Sequence, residues 1–177
     1  MPSPAELHQQ GLNLFHAEKY AEAAEQFAAA AQAFAAAGDR ASAAEMLNNL
    51  CVVRMAEKQW EAAIAAVEGT AEVFHALGES LREAQAIANL AAAHDGAGRV
   101  DQAASLYEQA IDLFGALGET ENRAACFKAL SALQVKQGKQ MQALASMHSG
   151  LNLSSDLSAK EKTLKTMLDQ AMKLIGK

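Results

Sequence analysis

The sequence predicts an all-α fold made of repeated helical hairpins, and three observations carry that expectation. Alanine, the residue with the best helix propensity, fills about a quarter of the 177 positions. Both prolines, Pro2 and Pro4, lie in the first four residues, so from Ala5 onward no proline interrupts a helix. A Phe–Gly block recurs at a fixed step: Phe34, Phe74 and Phe114 are 40 residues apart, as are Gly38, Gly78 and Gly118. An alanine-rich chain can align its alanines by accident, but not its Phe and Gly columns. β-branched residues are scarce, which argues against a sheet.

Each unit of the repeat (about 5–38, 39–78, 79–118 and 119–157) reads as two helices. The first helices carry Leu47 and Leu50, Ile87 and Leu90, then Phe127 and Leu130, the i, i+3 spacing of one buried stripe. Small residues follow one step later, at Gly11, Cys51, Ala91 and Ser131, and let two helices approach closely. Breaks are expected near 17–20, 57–60, 97–100 and 137–140, with Gly98 and Gly138 as C-caps in the last two units. The second helices carry Tyr20, Trp60 and Val100, then Ala23, Ala63, Ala103 and Ala143, and after them Phe27, Val67, Tyr107 and Met147. They run to the Gly38, Gly78 and Gly118 stops. Asp39, Ser80 and Thr120 then stand where the next helix needs a cap, and Ser80 with Glu83 has capping-box spacing.

The fourth unit decays: Ser154 replaces the Phe and Ser158 the Gly, as expected of a terminal repeat facing water. Residues 158–176 read as a capping helix. Ser158 and Glu161 have capping-box spacing. Leu164, Met167, Leu168, Ala171 and Ile175 form one apolar stripe, with Lys160, Lys162, Lys165, Asp169 and Lys173 lying off it. The expectation is a single domain over 1–177, about nine helices in all.

These columns resemble the tetratricopeptide repeat (TPR) family over about residues 5–155. The usual unit has 34 residues; a step of 40 implies lengthened helices, similar to those of kinesin light chains and the Pins-like cell-polarity adaptors. Leu47-Asn48-Asn49-Leu50 and Ala88-Asn89-Leu90 resemble the Leu-Asn-Asn-Leu-Ala segments of that subgroup. The resemblance implies a right-handed TPR-like solenoid of four helical hairpins plus the capping helix. The chain departs from the family at Leu14, Arg54, His94 and Gln134, where Tyr or a similar large residue is usual, so the polar side chains among them must be partly exposed or hydrogen-bonded.

Chemistry-bearing patterns are sparse. No apolar run reaches the eighteen or so residues of a membrane span, and the N-terminus does not read as a signal peptide. The net charge of −6 disfavours nucleic-acid binding. His8, His16, His75, His94 and His148 lack helical metal-site spacing, so neither metal nor cofactor is expected. Gly96-Ala97-Gly98 has no preceding strand to make a phosphate loop. Cys51 and Cys126 fall on first helices two units apart, read as reduced and buried, and fit a cytoplasmic location. The chain therefore reads as a non-enzyme.

In the resembled fold the first helices line a concave face. Counted from the family register, the groove positions are Leu12 and Phe15, then Glu45, Asn48, Asn49, Val52 and Met55, then Gln85 and Asn89, and finally Lys128 and Val135. Asn49 and Asn89 are one repeat apart, and a carboxamide can donate to a C=O and accept from an N–H of an extended chain. The resemblance implies that asparagines in this column hold a bound peptide's backbone. The expected function is a non-catalytic adaptor taking a peptide or helix of another protein in the groove. The alternative is a self-assembling scaffold, a homo-oligomer through its ends or groove. A third class, a sensor of small molecules or signalling peptides, normally carries a further effector domain.

Overall fold

In a computed structural model of the protein, residues 2–175 are described, with side chains through Lys173; the side chain of Ile175, and Gly176, lie outside the described residues. The described residues form ten helices and no strand. They fall into two compact units, residues 1–99 and 100–177.

The first unit holds α1 (Pro4–His16), α2 (Tyr20–Ala36), α3 (Arg40–Ala56), α4 (Trp60–Val67), α5 (Thr70–Ala76) and α6 (Ser80–Gly96). Pro4 starts α1 with its fixed φ, and Ser3 and Glu6 close a capping box. α1 and α2 approach closely at Gly11, where a Cβ would stand 2.8 Å from the Phe27 ring. Phe27 fills that space and is 2% exposed. Trp60 packs in the same way over Gly96, which has no room for a side chain.

The second unit holds α7 (Val100–Leu117), α8 (Thr120–Lys136), α9 (Gln140–Leu153) and α10 (Ala159–Ile175). α8 and α9 are held by a hydrogen bond from Ser131 Oγ to the Ala143 carbonyl, 2.7 Å. α10 begins on the expected Ser158–Glu161 capping box. It is tied back by Glu161 to Lys128 on α8 (2.9 Å) and by Asp169 to His148 on α9 (2.7 Å).

One turn recurs at seven of the nine connections between the described helices. Residues 18, 38, 58, 78, 98, 118 and 138 all have positive φ, a step of 20 through both kinds of inter-helix turn. The next N–H closes the 6→1 bond of a Schellman motif each time, for example Asp39 to Phe34 at 3.0 Å and Arg99 to His94 at 2.9 Å. Five of the seven are the glycines expected. Glu18 (φ 59) and Lys58 (φ 58) take the same left-handed conformation without glycine's freedom.

Several local expectations need correction. Asp39 caps α3, accepting from the Ser42 N–H at 3.0 Å, but Ser80 and Thr120 are the first residues inside their helices rather than caps. Glu79 and Glu119 stand at those N-caps, and their longer side chains reach Arg82 and Asn122 instead of the backbone. Ser80 and Glu83 form no capping box; Glu83 meets His75. The second arm of hairpin two is broken at Glu68–Gly69, whose angles (−57, 128 and 82, −8) make a type II turn. Buried Thr70 locks it, donating to the Val67 carbonyl at 2.7 Å. α4 and α5 together thus fill the place of one arm. In α10, of the described stripe residues, only Leu168 is deeply buried (5%); Leu164 and Met167 are 39% and 62% exposed, because the helix turns Glu161, Lys165 and Asp169 toward the body.

Candidate functional site

The predicted groove residues divide into a pocket, a hydrogen-bonded pair and several engaged charges. In the first unit Leu12 and Phe15 from α1 and Asn49 and Val52 from α3 come together, with Phe27 behind them, around a pocket of about 160 Å³. Its lining is apolar except for Asn49 and His16. Sites for small molecules usually span about 300–1,000 Å³. This one has room for about a single aliphatic side chain, with the Asn49 carboxamide at its wall.

Asn49 and Asn89 were expected to act as equivalents, and they do not start as such. Asn89 spends one side-chain N–H on the Asn48 side-chain Oδ1, 3.1 Å away across adjacent layers. Among the described residues Asn49 makes no such bond into the scaffold and lines the pocket instead. Both are only partly buried. The difference follows from the register: a residue in this column reaches the column beside it one layer earlier. Asn89 finds Asn48 there, whereas the residue in the corresponding position for Asn49 is His8, whose ring packs on Phe27.

The remaining predicted positions are scattered in role. Glu45 pairs with Arg82 at 3.3 Å, and Arg82 also binds Glu79 at 2.9 Å. Met55 packs against the apolar core of the first unit, and Gln85 is exposed. In the second unit Val135 is 59% exposed, and Lys128 is committed to Glu161 rather than presenting an open cation. Arg82 and Glu161 were not anticipated as partners of groove residues. The only sequence signal was the i, i+3 spacing of Glu79 and Arg82.

The polar residues at the departing column behave differently from one another. Arg54 stays part-exposed and reaches Glu57 (3.0 Å) and Gln59 (2.9 Å). His94 and Gln134 are buried, and His94 Nδ1 and Gln134 Oε1 have no hydrogen-bond partner among the described residues. Burial, helped by the Arg99 guanidinium, lowers the His94 pKa and favours the neutral ring. Burial also pushes the Cys51 thiol up to about 12 and Cys126 to about 11, so neither is a thiolate at neutral pH. Among the described residues no three His, Cys, Asp or Glu groups gather as metal ligands, and no helix is long and apolar enough to cross a membrane.

Comparison with known proteins bears on the fold. The family model of the tetratricopeptide repeat matches residues 42–116. No curated protein matches in sequence. Among solved structures, BtubC (BKLC) from P. vanneervenii superposes with a TM-score of 0.79 at 20% identity, over 88% of this chain and 68% of that one. MamA from Desulfovibrio magneticus RS-1 superposes with a TM-score of 0.68 at 19% identity, over 85% of this chain and 75% of that one. At such identities the likeness is one of fold: an all-α helical-repeat solenoid.

Proposed function

We propose that this chain, built of tetratricopeptide repeats, is an adaptor that takes an extended peptide of a partner protein along the first-helix face of residues 1–99. Tetratricopeptide repeats make it a protein-interaction or scaffold module; the mode of binding is our reading. The observation that carries it is Asn49 at the wall of an apolar pocket sized for one side chain. A bound peptide places one aliphatic residue among Leu12, Phe15, Val52 and Phe27, while the Asn49 carboxamide pairs with the adjoining backbone. Asn89, its orientation fixed by Asn48, offers a second carboxamide one layer on. Two polar anchors on successive first helices, the first at the wall of an apolar pocket, give orientation and affinity together.

The role we assign is non-catalytic, which the protonated state of both thiols supports. The two free buried cysteines fit a reducing compartment, and we place the chain in the cytoplasm. The test begins with peptides selected from a random displayed library on the full chain. We expect one large aliphatic residue in common among them. Replacing Asn49 and Asn89 together with Ala should weaken a selected peptide about tenfold or more, and Val52→Glu should abolish binding. Unchanged affinity in the double variant overturns the reading.

A further inference from the structure

We propose that a cavity in the first unit, beside the break between α4 and α5, is a binding site for a free aliphatic α-amino acid. The cavity has a volume of about 320 Å³, within the range of sites for small molecules. Ala43, Ala44 and Leu47 of α3 line it, together with Val73 of α5 and the Glu68–Gly69 turn. Its deepest residues are closed to solvent: Ala44 is 3% exposed, and Thr70, which also lines it, 2%.

The repeat shows that residue choice keeps this space open. Ala35 and Ala43 both line it. One repeat later the same two columns hold His75 and Glu83, which bond to each other at 3.1 Å. One further on they hold Gly115 and Arg123, whose guanidinium carbon lies 2.9 Å from where a Cβ on the glycine would stand. In both later repeats a side chain thus bridges the two columns. In the first, two methyl groups leave the gap unbridged. The broken arm adds a wall: α2 and α7 run without interruption, whereas the type II turn at Glu68–Gly69 brings a carboxylate into the lining.

Charge selects the ligand. The Arg40 guanidinium and the Glu68 carboxylate both line the cavity, and among the described residues neither side chain makes a hydrogen bond or ion pair. A guanidinium takes a carboxylate on its fork of donors, and a carboxylate takes an ammonium. An anion alone would meet Glu68 as a like charge, and a cation alone would meet Arg40, so the complementary ligand is a zwitterion. Its side chain rests on the apolar lining of Ala43, Ala44, Leu47 and Val73. A residue within a peptide, or at either end of one, lacks one or both of the α-charges, so the pair selects a free amino acid. This site shares no residue with the Asn49 pocket, and its fate is independent of that reading.

The probe is L-leucine, titrated into the full-length protein and followed through the backbone amide signals in NMR spectra. We expect saturable shifts at Ala43, Ala44, Thr70 and Val73. N-acetylleucine lacks the ammonium and leucinamide the carboxylate; each should bind about tenfold more weakly or worse, because a charge-assisted hydrogen bond is lost. Arg40→Gln should weaken leucine by about the same factor. Ala35→His with Ala43→Glu copies the bonded pair of the next repeat into the cavity and should abolish binding. Arg40 is exposed, so Arg40→Gln should keep the wild-type melting midpoint and decides the matter where the double variant does not fold. Absence of saturable shifts at these residues overturns the proposal. So does either analogue binding as tightly as leucine, or an unchanged leucine affinity in Arg40→Gln.

Discussion

The first and fourth hairpins occupy the same register and are closed by opposite means. In the first, an aromatic ring enters a space kept empty by glycine: Phe27 is 2% exposed and leaves no room for a Cβ at Gly11. In the fourth, Ser131 stands in the glycine column and Met147 in the Phe column; a hydrogen bond to the Ala143 carbonyl joins the helices, and Met147 is only partly buried. Apolar packing supplies more stabilisation than a net hydrogen bond, which contributes about 1 kcal/mol. A 40-residue repeat can therefore keep its helix spacing while its stability falls from one end to the other. Phe27→Ala should cost about 3–5 kcal/mol, whereas Met147→Ala should cost about 2 kcal/mol or less. Urea titrations of both variants check this, and equal losses would break the comparison.

Much of this contrast was legible in the sequence because packing repeats with the chain. The Phe, Gly and Ala columns located the turns and the buried faces, and the decay at Ser154 and Ser158 announced a different last unit. What was not legible depends on side-chain reach rather than period. Asn49 and Asn89 share a column, but Asn89 bonds to Asn48 whereas Asn49 lines the pocket beside Leu12 and Phe15. Lys128 looked like an open groove cation until Glu161, far along the chain, was placed against it. The break at Gly69 left one glycine as its trace, in a helix whose equivalents in the other units run through Ala29 and Gln109. The α10 stripe was legible as apolar, but periodicity does not show that contacts of Glu161 with Lys128 and of Asp169 with His148 leave Leu164 and Met167 outward.

The turns offer a second, smaller version of the same comparison. Hairpins three and four turn on Gly98 and Gly138, whereas hairpins one and two turn on Glu18 and Lys58 in the same conformation. A left-handed residue with a Cβ costs about 1–2 kcal/mol, against which glycine loses about 0.5–1 kcal/mol through the freer unfolded chain. Lys58→Gly should therefore stabilise the protein by about 0.5–1 kcal/mol. Gly98→Ala should destabilise it by about 1 kcal/mol, since it introduces the strain that Lys58 already bears. Thermal melts of the two variants give the signs directly. A loss of stability in Lys58→Gly would mean that its side chain, and not its backbone, holds that turn.

The smallest effect expected is the pH dependence of the last helix. Hydrogen bonds from the Lys128 ammonium, then from the Ser158 hydroxyl and N–H, hold the Glu161 carboxyl at about 2, below its ordinary 4.5. The folded value lies below the unfolded one, so the carboxylate's contribution is complete above about pH 4.5 and fades as the pH falls toward 2. Hydrogen exchange of the α10 amides should therefore quicken across that window, while that of α2, which carries no such tie, changes less. Glu161 and Lys128 are only partly shielded from water, and salt should weaken their pairing in the same direction. Glu161→Gln should remove most of this pH response and leave α10 at its acid-state exchange rate near neutrality. If α10 in that variant still protects its amides as the wild type does, Leu168 rather than the ion pair is what holds the helix down.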